Sequence, residues 1–428
     1  MMTEKEKTVS FCTLGCRVNQ YETRSIAEQF VKKGYKTVPF GEKCDVCVVN
    51  TCAVTAESVR KSAQLARRAA SSAEKVAVIG CASELTGTLK VSDKVKLFIG
   101  TKGKSLVVKA MTEDISVSAD GISGYENTEI GTVSPSLLEN ISDCRAFVKI
   151  EDGCNGRCAY CVIPKLRGRV RLRNESDILD EIDRLCASGS KEIILTGIET
   201  AAYGAHSLSE LIKKADEKED VKRIRLGSLD PNVLTDEFID TVRNTESFMP
   251  HLHLAVQSAS GDVLKAMRRP YTKEKLESVT SALKNAVPEI MLSADIISSF
   301  PTETEEDFIR TLEYIEKYGF LHIHAFSFSP RPGTEAYGMK QIPSDIAADR
   351  TKRLISLSKK LKEEILQKKI GKLQEVLIES KKRGLYTGHT RDFCEAGIES
   401  DAELKPGDII NAPVISVKEE ILIMKYIK

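Results

Sequence analysis

Long apolar runs are absent from this sequence of 428 residues. Stretches such as Val46–Val49 and Ile193–Leu195 are far shorter than the roughly 20 residues of a membrane-spanning helix, so none is expected. The opening M-M-T-E-K-E-K lacks the apolar segment of a secretory signal, and a cytoplasmic protein is expected. Net charge is almost absent as well, at +1, which leaves the choice of partner to local clusters. What the chain does have is cysteine, 12 in all. Without an export signal these point to metal binding rather than disulfides, because the cytosol keeps thiols reduced. An apolar fraction of 41% with 29% charged residues describes a globular chain too long for one ordinary core, so two or three domains are expected.

The densest chemistry lies in residues 151–164, E-D-G-C-N-G-R-C-A-Y-C-V-I-P, just after an apolar, strand-like segment at Ala146–Ile150. Cys154, Cys158 and Cys161 there form a C-x3-C-x2-C pattern. Three thiolates this close on one loop can hold one soft metal centre. A structural zinc site closes with a fourth protein ligand, usually from a second pair. No second C-x2-C pair and no nearby histidine supplies one in this part of the chain. On a four-iron cluster, three ligands would leave one iron open to a small molecule. The bland alternatives are three buried structural cysteines, or a zinc loop closed from a distance.

From Lys7 to about Ala110, short apolar runs alternate with helix-like stretches. Strands are predicted at Thr8–Thr13, Asp45–Asn50, Val76–Ile79 and Lys96–Ile99, with helices at Tyr21–Lys33, Thr55–Ala73 and Ser105–Met111. That order reads as a parallel α/β sheet. Cys16, Cys52 and Cys81 each follow a strand, and the carboxyl ends of parallel strands share one rim where ligands bind. The three would therefore meet as a second three-thiol site. Cysteine is also a frequent core residue, the reading given to Cys12, Cys44, Cys47, Cys144, Cys186 and Cys394. The Cys44-x2-Cys47 pair has zinc-knuckle spacing but no second pair to complete it.

The frame D-G-C-N-x-x-C-x-Y-C-x-I-P resembles the radical S-adenosylmethionine (SAM) enzymes. Together with T-L-G-C-R-V-N-Q-Y-E-T (13–23), N-T-C-A-V-T (50–55) and G-C-A (80–82), the chain resembles the methylthiotransferases within that family. The resemblance implies two [4Fe-4S] clusters, one per cysteine triplet, with SAM as both radical source and methyl donor. Its opening motif is similar to the tRNA threonylcarbamoyladenosine branch. Branches acting on isopentenyladenosine or on a ribosomal protein carry different residues after L-G-C. The implied reaction is conversion of N6-threonylcarbamoyladenosine at position 37, in the tRNA anticodon stem-loop, to its 2-methylthio derivative. In it the Cys154 site serves reductive SAM cleavage, and the Cys16 site serves sulfur delivery to C2 of adenine. A reducing electron donor and a sulfur donor are implied, and no membrane. Rival expectations are methylthiolation of isopentenyladenosine-37 or of a ribosomal protein. A rival of another class is a non-catalytic, metal-stabilised RNA-binding protein.

Six strand-then-helix units are predicted between Ala146 and Ser329, with strands at 146–150, 192–196, 223–229, 251–257, 291–298 and 322–328. Such units wind into a barrel or partial barrel with its chemistry at the carboxyl-end face. The resemblance implies an open (β/α)6 barrel, with Tyr160 beside the adenine of SAM. Strand-end positions make Glu199, Gln257 and Arg268 further candidates to bind SAM, against a plain role as caps. Ser299, Thr302 and Ala259 stand where the family has glycine, which puts the detailed cofactor fit in doubt. Lys165, Arg167, Arg169, Arg171 and Arg173 give five cations in nine residues beside the cysteine loop, a candidate RNA-phosphate patch or a solvated face. His251, His253, His322 and His324 alternate along two strands and read as hydrogen-bonded barrel residues.

Residues 345–370 carry apolar positions at helical spacing, and after Gly371 short alternating strands, with a break expected at Pro413, suggest a small β-barrel. It resembles the TRAM module of the same family. The expected fold is thus α/β, with four segments. They are an N-terminal parallel α/β domain (1–115), a linker (116–143), a radical SAM partial barrel ending in an amphipathic helix (144–370), and a TRAM-like all-β barrel (371–428).

Overall fold

A computed structural model describes residues 6–85, 89, 91–113 and 144–427, so the expected linker at 116–143 lies outside the described residues. The first unit contains β1 (Thr8–Thr13), α1 (Arg17–Lys32), β2 (Lys36–Thr37), β3 (Cys44–Thr51), α2 (Ala56–Ser72), β4 (Ala73–Gly80), β5 (Val95–Ile99) and α3 (Val107–Glu113). Its strands form one parallel sheet in the order β2-β1-β3-β4-β5. β3 and β4 are buried almost throughout, which is why they read as continuous apolar runs rather than alternations.

The central unit begins with β6 (Arg145–Lys149), β7 (Glu151–Asp152), α4 (Ile163–Arg167), β8 (Arg171–Leu172), α5 (Glu175–Ala187), β9 (Glu192–Thr196) and α6 (Ala205–Asp216). It continues with β10 (Arg223–Leu226), β11 (Ser228–Leu229), α7 (Asp236–Asn244), β12 (His251–Gln257), α8 (Gly261–Ala266), α9 (Lys273–Ala286), β13 (Met291–Ser298), α10 (Glu305–Tyr318), β14 (His322–Ser327) and α11 (Ser344–Gln367). The strands run parallel as β10-β9-β6 and β11-β12-β13-β14, interrupted only at Gly227 between β10 and β11. A Cβ at Gly227 would sit 3.0 Å from the Thr196 hydroxyl, so the strand passes close against its neighbour there. This is the six-unit partial barrel expected from the repeat. Helix starts are set by local chemistry: Thr304 and Asp307 form a reciprocal capping box at α10, which ends at Gly319 in the left-handed region.

The C-terminal unit is a closed barrel of β15 (Leu373–Lys382), β16 (Leu385–Thr390), β17 (Glu395–Ser400), β18 (Ile409–Lys418) and β19 (Ile421–Tyr426), in the order β15-β16-β17-β19-β18. The break expected at Pro413 falls elsewhere. Pro413 lies inside β18 opposite Leu373, and the chain reverses at Glu419 and Glu420, both at positive φ as a two-residue hairpin requires. Between β16 and β17, Phe393 leaves this barrel for the amino ends of the central strands. Its ring stacks on His251 and on His389, each at 4.7 Å between centroids, with the Arg145 and Arg225 guanidiniums over it at 5.4 and 4.9 Å. No helix among the described residues is long and apolar enough to cross a membrane.

Candidate active site

The Cys154–Cys161 loop leaves β7 through Gly153, at φ +90°, where a Cβ would lie 2.2 Å from the Arg169 carbonyl oxygen. Only glycine fits that turn. The Gly156 N–H donates to Cys154 Sγ at 3.2 Å, and a Cβ on Gly156 would crowd the same sulfur at 3.0 Å and Cys158 Sγ at 4.0 Å. Elsewhere the loop is pinned from below: the Ala159 N–H donates to the Met267 carbonyl (3.0 Å), and the Ala336 N–H to the Ala159 carbonyl (2.9 Å). Val263, Met267 and Phe300 pack beneath it with Ala336. Burial pushes the Cys154 thiol up to about 11 and Cys161 to about 12, and the neighbouring Cys158 sulfur raises both further. Three crowded thiols with an N–H turned to sulfur suit a soft, thiolate-binding metal centre. Among the described residues no further cysteine or histidine joins the set.

Cys16, Cys52 and Cys81 come together at the carboxyl rim of the first sheet. Gly15, at φ +100°, brings β1's exit so close that a Cβ there would lie 2.9 Å from Cys52 Cβ and 3.0 Å from its Sγ. Asn19 stitches the loops, its side-chain N–H group donating to the Leu14 carbonyl (2.7 Å) and the Thr51 carbonyl (3.0 Å). Thr51 links β3 to β4, donating to the Ile79 carbonyl at 2.6 Å and accepting from the Ala82 N–H at 3.2 Å. Burial raises the Cys16 and Cys52 thiols, Arg167 lowers both, and Cys81 raises both. Cys52 and Cys81 are buried, whereas Cys16 is exposed toward the cavity next to it.

That cavity, of about 960 Å³, runs from Cys16 and Cys52 into the central barrel, where Thr196, Gly197, Ser228, His253, Asp295 and His324 line it. Behind Gly197 stands Glu151, three residues before Cys154. The Glu151 carboxylate packs so tightly on Gly197 that a Cβ there would fall 2.1 Å from Oε1, and the same oxygen accepts the Glu199 N–H. Both carboxyl groups sit near Cys154, and burial pushes Glu151 up to about 8 and Glu199 to about 7, Asp230 adding to the latter.

The other predicted residues divide. Tyr160 accepts from Arg269 Nη1 at 3.4 Å, and that nitrogen also reaches Cys158 Sγ at 3.4 Å; Arg269 Nη2 is fixed by Asp230 Oδ2 at 2.7 Å. From its place after β12, Arg268 is the arginine expected beside SAM. Arg268, at φ +55°, turns outward to Glu335 with its side chain 57% exposed, while Arg269 meets the cysteine loop. Gln257 ends β12 at φ +61°, on the carboxyl edge.

The cationic run also needs correcting as a phosphate patch. Arg167 is fully buried, with Nη1 at 2.9 Å from Asp152 and 3.1 Å from Glu22, and Nη2 at 2.7 Å from the Asn19 oxygen. Arg173 is buried against Glu181 and Tyr21, and Arg171 folds back onto the Arg167 and Arg169 carbonyls. Only Lys165 and Arg169 remain exposed. Buried carboxylates take the inner charges, Glu22 from 145 residues away, which a charge count cannot show.

Ser299 occupies a left-handed position, φ +62°, although it carries a Cβ. Its N–H donates to Glu303 Oε2 at 2.6 Å, while its own hydroxyl is buried without a partner. Replacing Ser299 with glycine removes both penalties, and a gain of about 1 kcal/mol in stability is expected from urea unfolding. A loss would contradict the strain inferred here.

Comparison with known proteins agrees with this architecture. Residues 148–315 match the radical SAM superfamily and residues 8–100 the uncharacterized protein family UPF0004. The chain is 32% identical to threonylcarbamoyladenosine tRNA methylthiotransferase MtaB of Bacillus subtilis (strain 168), over 95% of this chain and 94% of that one. It is also 32% identical to tRNA-2-methylthio-N(6)-dimethylallyladenosine synthase of Acetivibrio thermocellus, over 97% and 90%. Among solved structures, the radical SAM methyltransferase TsrM of Kitasatospora setae shares the fold, with a TM-score of 0.57 and 16% identity over 78% of this chain and 77% of that one. The cysteine loop on a six-unit barrel, the second cysteine rim and relatives matched nearly end to end agree: this chain belongs to the radical SAM methylthiotransferases that act on tRNA.

Proposed function

We propose that the chain methylthiolates N6-threonylcarbamoyladenosine at position 37 of tRNA, using two [4Fe-4S] clusters held by Cys154, Cys158 and Cys161 and by Cys16, Cys52 and Cys81. The observation that carries this reading is the cavity lined by Cys16 and Cys52, whose Gly197 packs on Glu151, a carboxylate close to Cys154. The opening motif around Cys16 favours the threonylcarbamoyl branch, since relatives of both nucleoside branches are equally similar in identity. When bound, the clusters and SAM supply the one-electron chemistry that activates an unreactive C–H bond.

The chain's own residues bind, orient and exclude water. Arg269 donates to Cys158 Sγ and holds the Tyr160 hydroxyl, which fixes the aromatic ring proposed to lie along the SAM adenine. Glu199 is a partly buried carboxyl raised to about 7, and a cationic amino group arriving beside it would restore its charge, as binding of the SAM ammonium requires. Gln257 presents backbone at the barrel's carboxyl edge. Val54, Phe326 and Phe328 give the cavity apolar surface against which an extruded base can stack. Lys165 and Arg169 remain as candidate phosphate contacts. The reaction draws on a reducing electron donor and a sulfur donor, in the cytoplasm.

Anaerobic reconstitution should load about eight iron atoms per chain, four for each cluster. Threonylcarbamoyl- and isopentenyl-modified anticodon stem-loops are then compared by nucleoside mass spectrometry. Methylthio product is expected on the former. Product on the isopentenyl stem-loop alone would overturn the branch.

A further inference from the structure

We infer that Arg17 is the carboxylate anchor of the substrate pocket, pairing with the carboxylate on the amino-acid substituent of the target adenosine. His253, Asp295 and His324 receive that substituent's hydroxyl and ureido groups. The inference rests on the threonylcarbamoyl reading above and names the residues that would make the distinction.

Arg17 opens α1 immediately after Cys16, so its side chain is fixed at the sulfur rim and lines the cavity. It is partly buried, yet its contacts are weak: Nη1 reaches the Leu226 carbonyl at 3.4 Å, and the Phe147 ring lies 6.0 Å away. Among the described residues no carboxylate forms an ion pair with it. Each of the neighbouring arginines has a carboxylate partner. Arg145 pairs with Glu192 at 2.7 Å, Arg225 with Glu192 at 2.9 Å, and Arg223 with Glu375 at 2.7 Å. A guanidinium removed from water without an anion is costly, and a planar donor fork matches a carboxylate in two-point contact.

Deeper in the same cavity the groups are polar and partly paired. His253 Nδ1 shares a hydrogen bond with the Ser293 hydroxyl at 2.9 Å, and its Nε2 lies 3.2 Å from Asp295 Oδ1. The His324 ring stands 5.2 Å from that of His253. Asp295 is the one carboxylate in this set, and the free valence of its oxygens suits N–H and O–H donors. The pocket is thus cationic at the sulfur rim and accepting further in, the polarity of a ureido-linked hydroxy acid. An isopentenyl group would leave Arg17 and Asp295 desolvated with nothing in return. Sites of that kind discriminate strongly against the analogue that lacks the polar groups.

The test compares binding and turnover by the reconstituted full chain on stem-loops carrying threonylcarbamoyladenosine, its methyl ester, or isopentenyladenosine. Wild type is expected to bind the ester roughly 10- to 100-fold more weakly than the acid, the range for losing a hydrogen-bonded charge pair. Arg17→Gln should bind the acid as weakly as wild type binds the ester, with no further loss on the ester, and Arg17→Lys should recover part of the difference. Equal affinity of wild type for acid and ester overturns the anchor, even if the variant loses its iron. If wild type modifies only the isopentenyl stem-loop, the functional reading falls first. If it modifies the threonylcarbamoyl stem-loop with Arg17→Gln unimpaired, only the anchor falls.

Discussion

Alanine at Cys16, Cys52 or Cys81 is expected to abolish methylthio product while reductive SAM cleavage continues, whereas alanine at Cys154 abolishes both. The two trios sit on separate units: one at the exits of β1, β3 and β4, the other on the loop following β7. Each has its own supports, Asn19 and Thr51 for the first, Gly153, Gly156 and Arg269 for the second. Loss of one sulfur from a three-ligand site should therefore empty that site alone, and iron should fall from about eight to about four per chain. Deoxyadenosine release, measured beside the modified nucleoside, separates the outcomes. Methylthio product from Cys16→Ala would end the two-site account, and so would loss of SAM cleavage in Cys52→Ala with four irons retained.

Arg167→Met should lower stability by about 3–5 kcal/mol, the usual cost of breaking a buried ion pair from one side. Arg167 joins Glu22 of the first unit to Asp152 of the second, and Lys149 crosses the same junction, 3.4 Å from Glu22 and 3.3 Å from Asp152. Lys104 completes the set against Glu22. Without the guanidinium, both carboxylates and the Asn19 oxygen lose a donor that buried methionine cannot replace. Although burial opposes it, Arg167 followed by Lys104 and Lys149 holds Glu22 down to about 2, below its ordinary 4.5. Its ionised form therefore contributes stability that is present above about pH 4.5 and lost as pH falls toward 2. The variant should show a lower urea midpoint near neutrality and unfold at a higher pH in acid. An unchanged midpoint would show that the cluster contributes nothing net.

Regular elements were legible where pattern and packing agree. Glu175–Ala187, Lys273–Ala286 and Glu305–Tyr318 follow from an apolar stripe with polar starts, and β9, β12 and β13 from apolar runs between turn formers. The short pieces left no such trace. β2 has two residues, α4 five and α8 six, too few for a period to show. Both cysteine trios could be read because ligand spacing and strand ends are local properties. The fates of Arg167 and Arg173 could not, since Glu22 lies 145 residues from Arg167 and only the folded chain brings them together. Nor could the choice between Arg268 and Arg269, which turns on one backbone angle.

Phe393 deserves a mechanical reading. Stacked between His251 and His389 beneath two guanidiniums, it works as a stopper in the amino end of the central barrel, and it belongs to the C-terminal unit. Swinging that unit aside means pulling the stopper and admitting solvent from the far end. The ring thereby ties the small barrel to the amino ends of the central strands through two imidazoles and two guanidiniums.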